Sequence, residues 1–219
     1  EDLLTLSRLE GSPLPSNNDW MSVAELLKRC GFNGAFKGPI FGVVARLAAQ
    51  KGIDLILANR DFFQANDVRL VLLGSGDRRL EEEVRALVRE APAKVHFSPR
   101  LDEAMSHLIE AGSDFFLMPS VFEPCGLNQM YSQVYGTVPI VSRVGGLVDT
   151  VVDADADPHR GTGLTCEPST SGLLDALHRS LALFADAARL AEGRQRGMER
   201  DFSWKAAAEA YDRLYQDSL

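Results

Sequence analysis

Two short segments of this chain carry the residues best suited to chemistry. In Phe122-Glu123-Pro124-Cys125-Gly126-Leu127-Asn128-Gln129-Met130-Tyr131 a single carboxylate stands just before an expected helix start, with a proline and a glycine between. In Arg46-Leu47-Ala48-Ala49-Gln50-Lys51-Gly52 a guanidinium at a strand end is followed by an ammonium near the next helix start. A cation at each of those places, with free backbone N–H groups beside them, suits a diphosphate. Arginine grips phosphate oxygens bidentately, whereas lysine acts as a point charge. The plain alternative makes both of them surface cations at a sheet rim and Glu123 a helix-start carboxylate stabilised by the helix dipole.

Smaller signals surround these two. The helix expected after Glu123 presents the N–H groups of Leu127 and Asn128 towards the same crevice. Cys125 is either a small packing residue or a thiol with a lowered pKa beside a helix start. In Arg143-Val144-Gly145-Gly146-Leu147, two glycines at a strand-to-helix turn let backbone amides approach a ligand, or simply make a tight turn. Gly74-Ser75-Gly76-Asp77-Arg78-Arg79 fails as a dinucleotide fingerprint. Arg79 occupies the third glycine's place, and the strand before it is the second, not the first. It reads as a glycine turn with Asp77 capping a helix.

The elements that must hold these residues follow from periodicity. Short apolar runs, each sized for a strand buried on both faces, recur at Ile40 to Ala45, Val68 to Leu73, Lys94 to Phe97, Asp114 to Met118, Val138 to Val141 and Gly163 to Thr165. Between them lie helical patterns at Ile53 to Phe63, Arg79 to Glu90 (Leu80, Val84, Leu87 and Val88 on one face), Asp102 to Ala111, Leu127 to Tyr135 and Gly145 to Val152. Helices alone follow: Thr170 to Ala185, Ala187 to Glu199 and Trp204 to Gln216. This alternation predicts an α/β fold, a Rossmann-like parallel sheet of about six strands with helices on both faces and a helical C-terminal tail. That tail is expected to wrap the sheet edge or reach across to another domain. Residues 1–37 read as a lead-in that packs on the domain at 38–219. Asp19 would cap its short helix, Val23, Leu26 and Leu27 share one face, and Gly31 is the stop. In such a sheet Glu123 falls at the carboxyl ends of the strands, where open α/β folds bind ligands.

Bulk properties narrow the classes further. The chain has 219 residues, 45% apolar and 25% charged, which is ordinary for a soluble globular protein. No apolar run approaches the roughly 20 residues of a membrane span. A net charge of −8 without a basic stripe disfavours nucleic acid as a partner. Cys30, Cys125 and Cys166 lie far apart, so a disulfide framework is not expected and a reducing compartment is. His96, His107, His159 and His178 show no metal-ligand spacing. The first residue is Glu1, as in a processed or excised piece.

Taken together the segments resemble the glycogen/starch synthases, retaining glucosyltransferases of the two-domain GT-B class. The resemblance covers about residues 38–218. It rests on PIFGVVARLAAQKGIDLI, LVLLGSGD, FEPCGLNQMYSQVYGTVPIVSRVGGLVDTV and FSWKAAAEAYDRLY, in that order. It implies transfer of glucose from a nucleotide-glucose, ADP-glucose in bacteria and plastids or another in its place, to the non-reducing end of an α-1,4-glucan, with retention and with no metal or cofactor. It implies that Arg46 and Lys51 bind the diphosphate and stabilise it as it leaves, and that Glu123 is the essential carboxylate at the donor sugar. Cys125, Gly126, Leu127 and Asn128 then line the donor at the helix start, Gly145 and Gly146 form the turn beside it, and Tyr131 lies near the ribose. Three positions depart from the family's usual pattern: Asn128 replaces Thr, Val144 replaces Thr, and Leu101 stands where a nucleotide-stacking tyrosine can be. The lysine-containing glycine motif of the family's N-terminal domain, which carries the acceptor site, is absent. The expected role is therefore the C-terminal, donor-binding half: nucleotide binding without catalysis by this chain alone. The expected location is the cytoplasm, or the plastid stroma in a plant. Two other readings stay open, a non-catalytic nucleotide- or glucan-binding module and another GT-B transferase of the sucrose or trehalose type.

Overall fold

A computed structural model describes residues 23–32, 36–100 and 102–217. Asp19, the loop at 11–18 and Leu101 lie outside the described residues. The described residues fall into two units, an α/β body ending at Glu199 and a helical segment beginning at Arg200.

The body is built on six parallel strands: β1 (Ile40–Val44), β2 (Arg69–Leu73), β3 (Val95–Ser98), β4 (Phe115–Met118), β5 (Val138–Ser142) and β6 (Leu164–Cys166). Their order across the sheet is β3-β2-β1-β4-β5-β6. Every pairing is parallel, with Phe41 opposite both Leu70 and Phe115, and Phe115 opposite Val138. The chain therefore winds outwards from β1 in one direction, returns to its other side, and winds outwards again. Between β1 and β4 the connections leave to opposite sides and open a crevice at the strands' carboxyl ends.

Period-two alternation sorts each strand between two apolar faces. Phe41, Val43, Leu70, Leu72, Phe115, Leu117 and Ile140 face one layer. That layer is made by α2 (Ile53–Ala58), α3 (Arg60–Ala65), α4 (Arg78–Glu90) and α8 (Thr170–Ala185). Ile40, Val71, Leu73 and Phe116 face the other, where α1 (Val23–Arg29) and α5 (Glu103–Gly112) bring Leu26, Met105, Leu108 and Ile109. With apolar layers on both sides, no strand can be a polar/apolar alternator, and the runs read as continuous. An aromatic cluster centres the first layer: Phe41 stacks on Phe115 with ring centroids 5.4 Å apart and meets Phe62 and Phe63 edge-on. Such pairs add to the area term because ring edges and faces carry opposite partial charge.

The remaining helices are α6 (Asn128–Val134), α7 (Leu147–Thr150), α9 (Ala187–Met198) and α10 (Trp204–Asp217). In the tail, α8 packs on β6 and α2, while α9 packs on α6 and α8. Arg194 ties α9 to the start of β4 through Asp114 at 2.6 Å. Helix α10 belongs to the second unit.

Most predicted elements are present with ends shifted by a residue, which is within the fraying of helix and strand ends. Asp77 caps α4, accepting hydrogen bonds from the N–H groups of Arg79 and Leu80 at 2.8 and 3.1 Å. Gly31 stops α1 as expected, but Val23 is 48% exposed, and of the expected face only Leu26 is fully buried. The helix expected over Ile53 to Phe63 is two helices, broken at Asn59. Its buried amide donates to the carbonyls of Leu55 and Thr170, so it bonds to α2 and to the first turn of α8 at once. Asparagine competes for backbone groups in this way, and periodicity alone does not reveal it.

Candidate functional site

The two chemistry-bearing segments meet at the crevice between β1 and β4. Lys51 closes a short 3-10 turn, Ala49–Lys51, that leaves β1. Glu123 lies in the loop that leaves β4. Lys51 Nζ donates to Glu123 Oε2 at 2.5 Å across 72 residues of sequence. The side chains are 22% and 8% exposed, so this is a largely desolvated ion pair. Ser120, 1% exposed, donates its hydroxyl to the same Oε2 at 3.2 Å. Among the described residues nothing donates to Glu123 Oε1.

Backbone contacts bring the two loops together. Val121 N–H donates to Gln50 O at 2.9 Å, and Gln50 Nε2 returns a bond to Phe122 O at 3.2 Å. Gly52 follows Lys51 with φ +68°, and a Cβ there would lie 1.9 Å from Pro119 O. Only glycine lets the turn adopt that left-handed backbone and press this closely on the end of β4. Asn128 Nδ2 donates to Val44 O at 3.0 Å, fastening the first turn of α6 to the end of β1. The Asn128 amide is thus engaged as a clamp between the two central strands' loops.

The Gly145-Gly146 turn closes the far side. Gly145 has φ +45°, and a Cβ on it would meet Glu123 O at 1.9 Å. Gly146 N–H donates to the carbonyls of Glu123 and Pro124 at 3.2 and 3.1 Å. The glycines therefore let this turn pack against the Glu123 loop, and the Gly146 amide is spent on that contact. Beneath them the buried Gln129 donates from Nε2 to Cys125 O, Gly126 O and Thr150 Oγ1. One amide thus holds the Cys125-Gly126 bend against α7.

The other expected site residues are placed as follows. Arg46 lies two residues beyond β1, exposed and, among the described residues, without an ion-pair partner. It is not joined to the Lys51–Glu123 pair by any hydrogen bond. The N–H groups of Leu127 and Asn128 have no acceptor among the described residues. Cys125 is exposed, which overturns its reading as a packing residue. Among the described residues its thiol donates only to the carbonyl of Gly126. Tyr131 is buried in α6 at 8% exposure. Leu101 is outside the described residues. Ser120, Gln50, Gly52 and Gln129 support the site and were not singled out from sequence. The adjacency of Gln50 and Gly52 to Lys51, and of Ser120 to the Glu123 loop, was the available signal.

Beside this crevice, at the ends of β5 and β6, is a concavity of about 330 Å³ lined by Arg143, Thr165, Glu167 and Arg179, among others. Its charges are internally engaged: Arg143 pairs with Glu167 at 3.3 Å, and Arg179 with Asp153 at 2.7 Å. Burial alone raises the Asp153 pKa. The Arg179 guanidinium and the Thr165 N–H and hydroxyl outweigh it and hold the carboxyl at about 2. Burial pushes the thiols of Cys30 and Cys166 up to about 12 and about 11.

A parallel sheet wound outwards from a central crevice, with α8 and α9 packed on it, is the Rossmann-like C-terminal half of a GT-B architecture. The chain belongs to the glycosyl transferases group 1 family, whose model matches residues 32–192. It is 62% identical over 196 residues to a glycogen synthase of Opitutus terrae, covering 90% of this chain and 41% of that protein. Among solved structures it is similar to the catalytic domain of starch synthase IV from Arabidopsis thaliana bound to ADP and acarbose. The TM-score there is 0.81 with 33% identity, over 90% of this chain and 42% of that one. A sucrose-phosphate synthase from Thermosynechococcus elongatus is less similar: TM-score 0.64, 28% identity, 89% and 48% coverage. The chain thus spans about two fifths of the curated relatives it matches.

Proposed function

We propose that this chain is the donor-binding half of a glucan synthase, which takes glucose from a nucleotide-glucose and adds it to an α-1,4-glucan. The observation that carries the reading is the Lys51–Glu123 pair in the β1/β4 crevice. A cation suited to phosphate and a carboxylate suited to sugar hydroxyls stand in direct contact, at the place where an open α/β sheet receives ligands. The starch synthase neighbour, solved with ADP and acarbose, supports ADP as the nucleotide. The sucrose-phosphate synthase neighbour has the lower TM-score, which favours the glucan branch over the sucrose branch.

In this reading Lys51 and Arg46 receive the diphosphate, helped by the N–H groups of Leu127 and Asn128. Breaking the bond from sugar to phosphate builds negative charge on the β-phosphate. Cations already oriented there stabilise that charge without reorganisation, and removing one such donor costs about 10²–10³ in rate. Glu123 orients the sugar and steadies its developing positive charge. It is not cast as a covalent nucleophile, because a retaining pair of carboxylates needs a second acid about 5 Å away. In the Glu123 motif no second acid stands beside it. Attack by the acceptor hydroxyl on the face the phosphate leaves, with that phosphate taking the proton, keeps the configuration. The acceptor and further sugar contacts come from the other half of the enzyme, so this chain alone binds nucleotide and does not transfer.

Titration calorimetry with ADP tests the proposal. The chain is expected to bind ADP, and Arg46→Ala combined with Lys51→Ala to abolish the heat. No heat with the unsubstituted chain, or equal heat from the double variant, would overturn it.

A further inference from the structure

We infer that Ser120 is the positioning residue for Glu123, holding the carboxylate in place once a donor has drawn Lys51 away. This rests on the reading that the crevice takes a nucleotide-glucose. The geometry is specific. Glu123 Oε2 receives two donors, Lys51 Nζ at 2.5 Å and Ser120 Oγ at 3.2 Å. Oε1 receives none among the described residues, which leaves it as the oxygen to accept from sugar hydroxyls.

The two donors differ in what happens when a diphosphate arrives. Lys51 sits on a flexible four-carbon stem, and its single charge is attracted to whichever anion is stronger. Two phosphate groups compete with one carboxylate for it. As the ammonium moves to the phosphate, Glu123 loses its counter-ion inside a crevice where only 8% of its side chain meets solvent. A carboxylate left with neither water nor partner is costly and turns to any donor within reach.

Ser120 cannot follow Lys51. Its side chain has one heavy atom beyond Cβ, and the residue is 1% exposed. Its backbone is fixed on both sides: Pro119 is pressed against Gly52, and Val121 N–H is bonded to Gln50 O. The hydroxyl therefore keeps Oε2 in the same place while Oε1 meets the sugar. Ser120 touches neither phosphate nor sugar in this arrangement. It acts only through Glu123, and so matters for a donor carrying glucose and not for the bare diphosphate.

That difference gives the test. The chain, Ser120→Ala and Ser120→Thr are titrated calorimetrically with ADP and with ADP-glucose, and their thermal melting is followed. Ser120→Ala is expected to keep ADP affinity within about twofold and to weaken ADP-glucose about tenfold, as for a lost hydrogen bond to a charged group. Ser120→Thr, which keeps the hydroxyl, recovers most of that loss. The inference is overturned if Ser120→Ala binds ADP-glucose as the parent does, or if it loses both ligands equally. It is also overturned if Ser120→Thr melts like the parent yet binds as weakly as Ser120→Ala. A parent chain that binds neither ligand would remove the donor-half reading itself. A parent that binds both while Ser120→Ala is silent removes Ser120 alone.

Discussion

Lys51 Nζ lies 2.5 Å from Glu123 Oε2, and the contact joins the loop after β1 to the loop after β4. Removing one partner of a buried ion pair leaves the other charge desolvated and unpaired, at about 3–5 kcal/mol for full burial. Lys51 retains some solvent contact, so Lys51→Met is expected to cost about 2–3 kcal/mol in urea unfolding, less than the full-burial figure. Adding Glu123→Gln removes the stranded charge. The double variant is then expected to be more stable than Lys51→Met alone, a non-additivity that a double-mutant cycle reads directly. Additive losses would show that the pair contributes nothing as a pair.

Gly52→Ala should be among the most damaging single-methyl additions in the body. The new Cβ meets Pro119 O at 1.9 Å and is forced to φ +68°. Strain of this kind costs about 1–3 kcal/mol before any clash is counted. The expected outcome is a melting temperature lower by roughly 10 °C or more, together with loss of ADP binding, because the Lys51 turn can no longer close on β4. A silent Gly52→Ala would mean that the two loops meet less tightly than described.

The Asp153–Arg179 pair gives the body an acid limit. Asp153 has a depressed pKa, about 2 against an ordinary 3.8. A carboxyl held low in the folded state stabilises it above the unfolded pKa, and that contribution is lost as pH falls from about 4 to about 2. The difference amounts to about 2 kcal/mol. Asp153→Asn is expected to flatten the stability–pH curve in that window and to leave its shape above pH 5 unchanged, as followed by denaturant unfolding at each pH.

The three thiols should separate by reactivity. Cys125 is exposed, whereas Cys30 and Cys166 are buried with pKa values pushed up to about 12 and about 11. A disulfide reagent at neutral pH is expected to modify one thiol per folded chain quickly, since attack needs both access and thiolate. Cys125→Ser should abolish that fast phase, and ADP should slow it if the donor sits beside the Cys125-Gly126 bend. Fast modification of two or three thiols would contradict the burial of Cys30 and Cys166.

Much of this was legible in the chain itself. Six apolar runs with helices between them define a doubly wound sheet, because strands covered on both faces have no solvent side to alternate with. Asp77 as a cap was readable too, because a cap acts within a few residues of its own position. The break at Asn59 was not, because its second acceptor, Thr170 O, is 111 residues away in sequence. The exposure of Cys125 was equally hidden: helix-start position does not say which way a loop faces.

The site divides in the same way. Residue types fixed which groups were capable of holding phosphate and sugar: Arg46, Lys51 and Glu123 by charge, the loop glycines by size. What the tertiary structure alone decided is which of them touch. Strand order set β1 beside β4 and so put Lys51 on Glu123, while no hydrogen bond or ion pair joins Arg46 to that pair. Close loop packing fixed Gly52 and Gly145 against neighbouring carbonyls and set the Ser120 hydroxyl on Glu123. Propensity and charge belong to a residue and its neighbours in sequence. A 2.5 Å contact across 72 residues exists only after the core has closed, when burial of the apolar faces leaves the two loops no other place to be.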